Sequence, residues 1–251
     1  MAKQVGLIRL KGTIDGINYY VHKDAGDLAR KAGGGFSPGS HKKESNVRPR
    51  ENASEFGHCS RVKGRFRFAL APFLSVRKDG SLHGRFMQLF TALKKLDRVN
   101  IRGERKVARG LETLLGRHLM QHFEFTRQCR VLDILGASVN FDFTSRTLQV
   151  TNFNIEHVSF PAGATHLSLT LGLLHFDFDT LQYQLKCSTP FYVDRDFNES
   201  SFEMHVALPE GNGMAMAVLG MKTYQKVEGT YYLFKGANAV GVENLGIEIV
   251  G

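Results

Sequence analysis

The sequence has no run of about 18 apolar residues, so nothing in it reads as a membrane-spanning helix. Lys3, Arg9 and Lys11 interrupt the opening MAKQVGLIRL, which therefore lacks the apolar core of a secretion signal. A soluble cytoplasmic protein is expected. Cysteine is scarce: Cys59, Cys129 and Cys187 are odd in number and widely spaced, which excludes a disulfide framework and every CxxC metal pattern. They read as small buried thiols. The glycine patterns that cradle phosphates, GxxxxGK followed by Ser or Thr and GxGxxG, are missing, and so is the GxSxG nucleophile elbow. Ser, His and Asp are too scattered to select a triad. No catalytic residue, metal, cofactor or small-molecule substrate is expected, and no membrane association.

What the chain does have is charge, unevenly laid out. With 251 residues, 42% of them apolar, it is long enough for a substantial core and for one or two domains. Residues 1–130 hold 27 Lys and Arg against 11 Asp and Glu, a surplus of 16, whereas residues 131–251 hold 6 against 13, a deficit of 7. Such a polar chain suits either a basic half that holds a polyanion or basic and acidic halves of different copies that meet.

Taken in order, residues 4–32 read as a small β meander: VGLIRLKG, the Asp15-Gly16 turn, INYYVHK, a second turn at Asp24-Ala25-Gly26, and DLARKA. Three strands with so few large apolar residues cannot build their own core and need a host. Gly33 to about Val47 has linker composition. From Arg48 to Leu74 the pattern turns helical. Asn52 with Glu55 resembles a capping box, and Cys59, Val62, Phe66, Leu70 and Phe73 form one stripe. Phe68 is expected to fill the core with Phe66, and Pro72 should kink or restart the helix. Leu82, Phe86, Leu89 and Leu93 mark a second helix, and residues 111–122 a third. From Phe123 the period becomes two, with FEFTRQCRVLDIL the first of eight or nine short runs that predict an antiparallel sandwich. The expected fold is α+β, divided into an N-terminal β meander (1–35), a basic helical region with a Gly-rich linker (36–122) and an acidic β-sandwich (123–251).

The candidate residues are cations. Arg61 and Arg65 form one row beside the apolar stripe and Lys63 and Arg67 another, with Arg48 and Arg50 before them and Arg102, Arg105, Lys106 and Arg109 after. Their spacing suits phosphates or the carboxylates of another subunit. His118 and His122 lie at i and i+4 but lack a third metal ligand and an HExxH pattern. His175, Asp177 and Asp179 alternate with Phe176 and Phe178, as on a sheet with one wet face.

The segments MAKQVGLIRLKGTIDGINYYV, RENASEFG, RGERKVARGLETLLG and GATHLSLTLGLLHFDFD together resemble a family of uncharacterised proteins common in Bacteroidota, over most of the chain. That resemblance implies a bacterial, non-secreted protein and carries no catalytic residue. The functional expectation is a self-assembling structural protein, its basic and acidic halves stacking head to tail into a filament, tube or ring and its N-terminal strands pairing with a neighbour. The alternative is a nucleic-acid-binding protein using the Arg48–Arg67 surface.

Overall fold

The computed structural model describes residues 2–6, 8–33, 46–76, 79–234, 236 and 238–250. The fold is α+β, and contacts divide the chain into two compact units, Met1–Arg50 and Glu51–Gly251. Most of the glycine-rich stretch expected to be a linker, residues 34–45, lies outside the described residues.

The small unit is an antiparallel sheet of β1 (Ala2–Lys3), β2 (Gly12–Ile14), β3 (Ile17–His22) and β4 (Gly26–Lys31), in the order β1-β4-β3-β2. The Asp15-Gly16 turn is as expected. Both residues have positive φ, 46° and 71°, the conformation whose twist matches the strands it joins. Of the strand expected over VGLIRLKG, only Gly12 is in a strand among the described residues. Gly12 leaves the β region at φ 113°, so pairing is split between Ala2–Lys3 and Gly12–Ile14. The Gln4 side chain holds the intervening residues, donating to the Leu10 and Leu28 carbonyls while accepting from the Leu10 amide.

The helices are α1 (Val47–Ala69), which from Glu51 on belongs to the large unit, then α2 (Ala71–Leu74), α3 (Leu82–Lys95), α4 (Val107–Leu111), α5 (Leu114–Gln121) and α6 (Val131–Leu135). The large unit's strands are β5 (Ser138–Asp142), β6 (Thr147–Thr151), β7 (His166–Phe176), β8 (Tyr183–Cys187), β9 (Phe191–Asp194), β10 (Phe202–His205), β11 (Gly213–Val227), β12 (Thr230–Leu233) and β13 (Val240–Val250). Two long strands, β7 and β11, form the centre of a six-stranded sheet. β13 and β12 share the outer side of β11, and β8 and β9 share the outer side of β7. A separate three-stranded sheet has the order β10-β6-β5.

Alternation along β7 and β11 sorts their side chains into two cores. Leu174, Phe176, Met214, Met216 and Val218 join the helices, whereas Leu167, Leu169, Leu171, Leu173, Ala217 and Leu219 join Leu148, Val150, Phe202 and Met204 of the small sheet. The unit is therefore layered as helices, central sheet, small sheet. Because the central sheet is covered on both faces, HLSLTLGLLHF is buried along nearly its whole length, Ser168 and His175 included. Gly172 and Gly220 face the helices, where a Cβ would come within 2.6 and 2.5 Å of the Phe73 ring lying across both strands.

The apolar stripe of α1 is buried as expected. Phe66 is enclosed by Phe86 and Phe90 of α3, Phe176 of β7 and Phe178. The helix stops at Ala69 and restarts as α2 with Pro72 in its first turn, where the missing amide costs no hydrogen bond. The expected third helix is two. α4 starts earlier, at Val107, and Thr113 breaks the run by accepting the Gly116 amide to cap α5.

Other readings are overturned. FEFTRQCRVLDIL holds no strand: Val131 and Leu135 are buried one turn apart on α6, whose first amide is accepted by Glu243 and which Gly136 ends in the left-handed conformation. Phe68, two positions and so about 200° from Phe66 around the helix, is exposed. Cys187 is likewise exposed, unlike Cys59 and Cys129.

Candidate interface at the long helix and the basic loop

The cations of α1 occupy two flanks that face different neighbours. On one flank the Arg65 guanidinium stands over the Tyr183 ring of β8 at 5.3 Å, and the exposed Phe68 meets the same ring edge-on. On the other flank Lys63 Nζ lies 3.2 Å from His83 Nδ1 of α3. Arg61 and Arg67 are exposed, one on each flank, and Arg48 and Arg50 are exposed in the first turns of the helix.

Arg102, Arg105 and Lys106 belong to the loop between α3 and α4, and this loop is built around carboxylates. Asp97, buried, accepts the amides of Val99, Asn100 and Lys106 and the Asn100 side-chain amide, at 2.8 to 3.0 Å. Burial works to raise its pKa, but these hydrogen bonds favour the ionised form more strongly and hold it at about 2. Glu55 is the second anchor. It is buried on the α1 stripe, forms an ion pair with Lys94 of α3, and accepts the Gly103 amide at 2.9 Å. Gly103 has φ 96°, and a Cβ there would come within 3.0 Å of Glu51, so only glycine suits the position.

Arg102 completes the joint, with Nε 3.1 Å from Glu51 Oε2 and Nη2 donating to Asn52 Oδ1 at 3.0 Å. The capping-box reading of Asn52 and Glu55 is thus overturned. The helix starts at Val47, a turn before Asn52, so both side chains are free to face the loop. Further along, His58 Nε2 accepts the Val107 amide at 3.1 Å. Burial, then the charges of Arg61 and Lys106, lower the His58 pKa below 6.5, with Asp179 opposing. Lys106 Nζ lies 3.9 Å from Asp179, Arg109 pairs with Glu112, and Arg105 is half-buried with Nε in the interior.

The segments RENASEFG and RGERKV, distant in sequence, are therefore two halves of one joint. Glu51 and Asp97 were not singled out from sequence, and Glu55 was read only as half of a capping box. The signal was there: Glu55 sits four residues before Cys59 on the apolar stripe, and a carboxylate that must be buried must find a cation. Chemically the joint is a brace. Its acids are spent on Lys94, Arg102 and the loop's own amides, and what it holds out to solvent is the loop Arg98–Ile101, with Val99 77% and Ile101 71% exposed.

The His118 and His122 rings lie 4.1 Å apart, and among the described residues no cluster of three or more metal-ligating side chains occurs. His175, Asp177 and Asp179 do not share a wet strand face. β7 ends at Phe176, His175 is buried and bonded to the Gly211 carbonyl, and Asp177 closes a turn by accepting the Asp179 and Thr180 amides. No helix among the described residues is long and apolar enough to cross a membrane. Compared with protein-family models, with curated proteins and with solved structures, the chain had no match.

Proposed function

We propose that this is a self-assembling structural protein whose copies stack head to tail into a ring, filament or tube, basic side against acidic side, with the N-terminal sheet docked on a neighbouring copy. The observation that carries the reading is the state of that sheet. Register puts Ile14, Ile17 and Val21 on one face, and they are 52%, 40% and 65% exposed. Leu28, on the opposite face, is the one large apolar side chain buried among the described residues of the unit. A four-stranded sheet that leaves this apolar face in water gains little from burial, and a partner that covers it supplies what the unit lacks.

The layering of the large unit adds support. Its helical layer, residues 51–130, carries 17 Lys and Arg against 7 Asp and Glu, and the strands that follow are acidic. Unlike surfaces on opposite sides of one subunit produce heterologous contacts, which either close or propagate. A polyanion-binding role for Arg48–Arg67 has less behind it, because the cations of α1 divide between two flanks and Arg65 and Lys63 already lie against Tyr183 and His83.

Sedimentation and electron microscopy of the full-length protein test the proposal. Assemblies are expected at low ionic strength and should weaken with salt as charges are screened. Deleting residues 1–35, or introducing Ile14→Lys with Ile17→Lys, should leave monomers. A full-length protein that is monomeric at every salt concentration defeats the reading, and a shift of DNA or RNA at low salt in such a monomer would favour the polyanion alternative.

A further inference from the structure

We infer that the loop Arg98–Arg102 is a plug and that its socket, on the next copy of this chain, is the hollow between the end of β6 and the loop joining β9 to β10. This inference rests on the self-assembly reading and gives it an address.

Exposed loops of soluble proteins are usually polar at their tips, and mobile. This one is neither polar at its tip nor loosely held. Val99 and Ile101 point into solvent, flanked by the exposed Arg98 and Arg102, while Asp97 and Glu55 fix the backbone on both sides of them by accepting the Val99, Asn100 and Gly103 amides. A chain segment held in one conformation loses little entropy when it docks, and two exposed aliphatic side chains beside the Arg98 guanidinium suit a recess with an acidic rim.

The large unit has such a recess. A hollow of about 540 Å³, its lining about equally polar and apolar, has Phe153, Ile155 and Phe197 beside Asn154, Asn198 and Ser200 and is rimmed by the exposed carboxylates Glu156, Asp196 and Glu199. The one cation lining it, Arg195, is turned elsewhere: its Nε donates to the Ala164 carbonyl and its guanidinium stands over the Phe160 ring at 4.7 Å. The rim is therefore left with a negative surplus. The hollow has room for two branched side chains, since a water molecule fills only ~30 Å³ of liquid.

Position supports the match. The plug belongs to the helical layer on one face of the central sheet. The floor of the socket belongs to the core on the other face. A plug and socket on opposite faces cannot meet within one subunit, and between subunits they form a heterologous contact that repeats.

Two variants of the full-length chain test this. Val99→Asp with Ile101→Asp spoils the plug, and Glu156→Lys with Glu199→Lys spoils the socket. All four positions are exposed, and circular dichroism should show both variants folded. Each alone is expected to sediment as a monomer, while an equimolar mixture should stop at one-to-one pairs, because one partner still has a plug and the other a socket. If either variant proves unfolded, Val99→Ala with Ile101→Ala, or Glu156→Gln with Glu199→Gln, takes its place, with assembly expected to need at least tenfold more protein. Wild-type protein that assembles while the plug variants assemble equally well overturns the plug and leaves self-assembly standing. Wild-type protein that never assembles overturns both.

Discussion

The two sheets centred on β7–β11 and on β3–β4 obey the same alternation of side chains and differ in what covers them. In the central sheet of the large unit, Leu167, Leu169, Leu171 and Leu173 face the small sheet while Leu174 and Phe176 face the helices, and all are buried. In the N-terminal sheet, Ile14, Ile17 and Val21 align just as regularly and remain in water. Strand pairing is common to both sheets, and layers packed on both faces belong to the central one. The sharpest way to test this is to remove what joins sheet and cover. Phe66 touches α3 and β7 at once, with ring centroids 5.3 to 5.9 Å from those of Phe86, Phe90 and Phe176. Phe66→Ala should cost about 3–5 kcal/mol, read as a lower denaturant midpoint for the large unit. A loss below about 1 kcal/mol would mean that the helices are not what secures the central sheet.

A smaller effect is expected at the brace. Asp97 has a folded pKa of about 2 against 3.8 for the free side chain. Its ionised form is favoured in the folded state, so its contribution is fully present above pH 3.8 and is lost as the pH falls through about 2. That amounts to roughly 2 kcal/mol. Asp97→Asn keeps one acceptor and removes the charge. It should lower stability at neutral pH by about that amount while flattening the acid limb between pH 4 and 2, as followed by urea unfolding at successive pH values. An unchanged acid limb would show that the loop draws its rigidity from Glu55 and Glu51 instead.

How much of this could be read from sequence depends on whether the deciding contact is local. The stripe Cys59, Val62, Phe66, the restart at Pro72 and the Asp15-Gly16 turn rest on spacings of a few residues or on the backbone preferences of Pro and Gly, and each is present in the structure. The strand runs after residue 138 were legible for the same reason. The failures are long-range. Asn52 and Glu55 have the spacing of a capping box, but their partners lie some 40 to 50 residues away, at Lys94, Arg102 and Gly103. Residues 131–135 look strand-like by composition, yet Glu243, more than 100 residues later, caps them as a helix. The candidate cations were visible as charges, but which of them face solvent and which are answered by Tyr183, Glu51 or Asp179 is a property of the packed chain.

The smallest expected effect on the large unit's stability discriminates most finely between the two sheets. Ile17→Ser, on the open face of β3, removes an aliphatic side chain that is already 40% exposed. If that face is uncovered in the monomer, the substitution should shift the large unit's unfolding by less than about 0.5 kcal/mol. Native-state hydrogen exchange then separates the sheets directly. Amides of β3 and β4 should open at a fraction of the global free energy, and those of β7 and β11 only with complete unfolding. Raising the protein concentration should slow exchange in β3 and β4 while leaving β7 and β11 unchanged, because a neighbour that covers the open face supplies the layer the central sheet already has. Equal protection of both sheets in dilute solution would mean that the N-terminal sheet is stable without a host, and the need for a second copy would disappear with it.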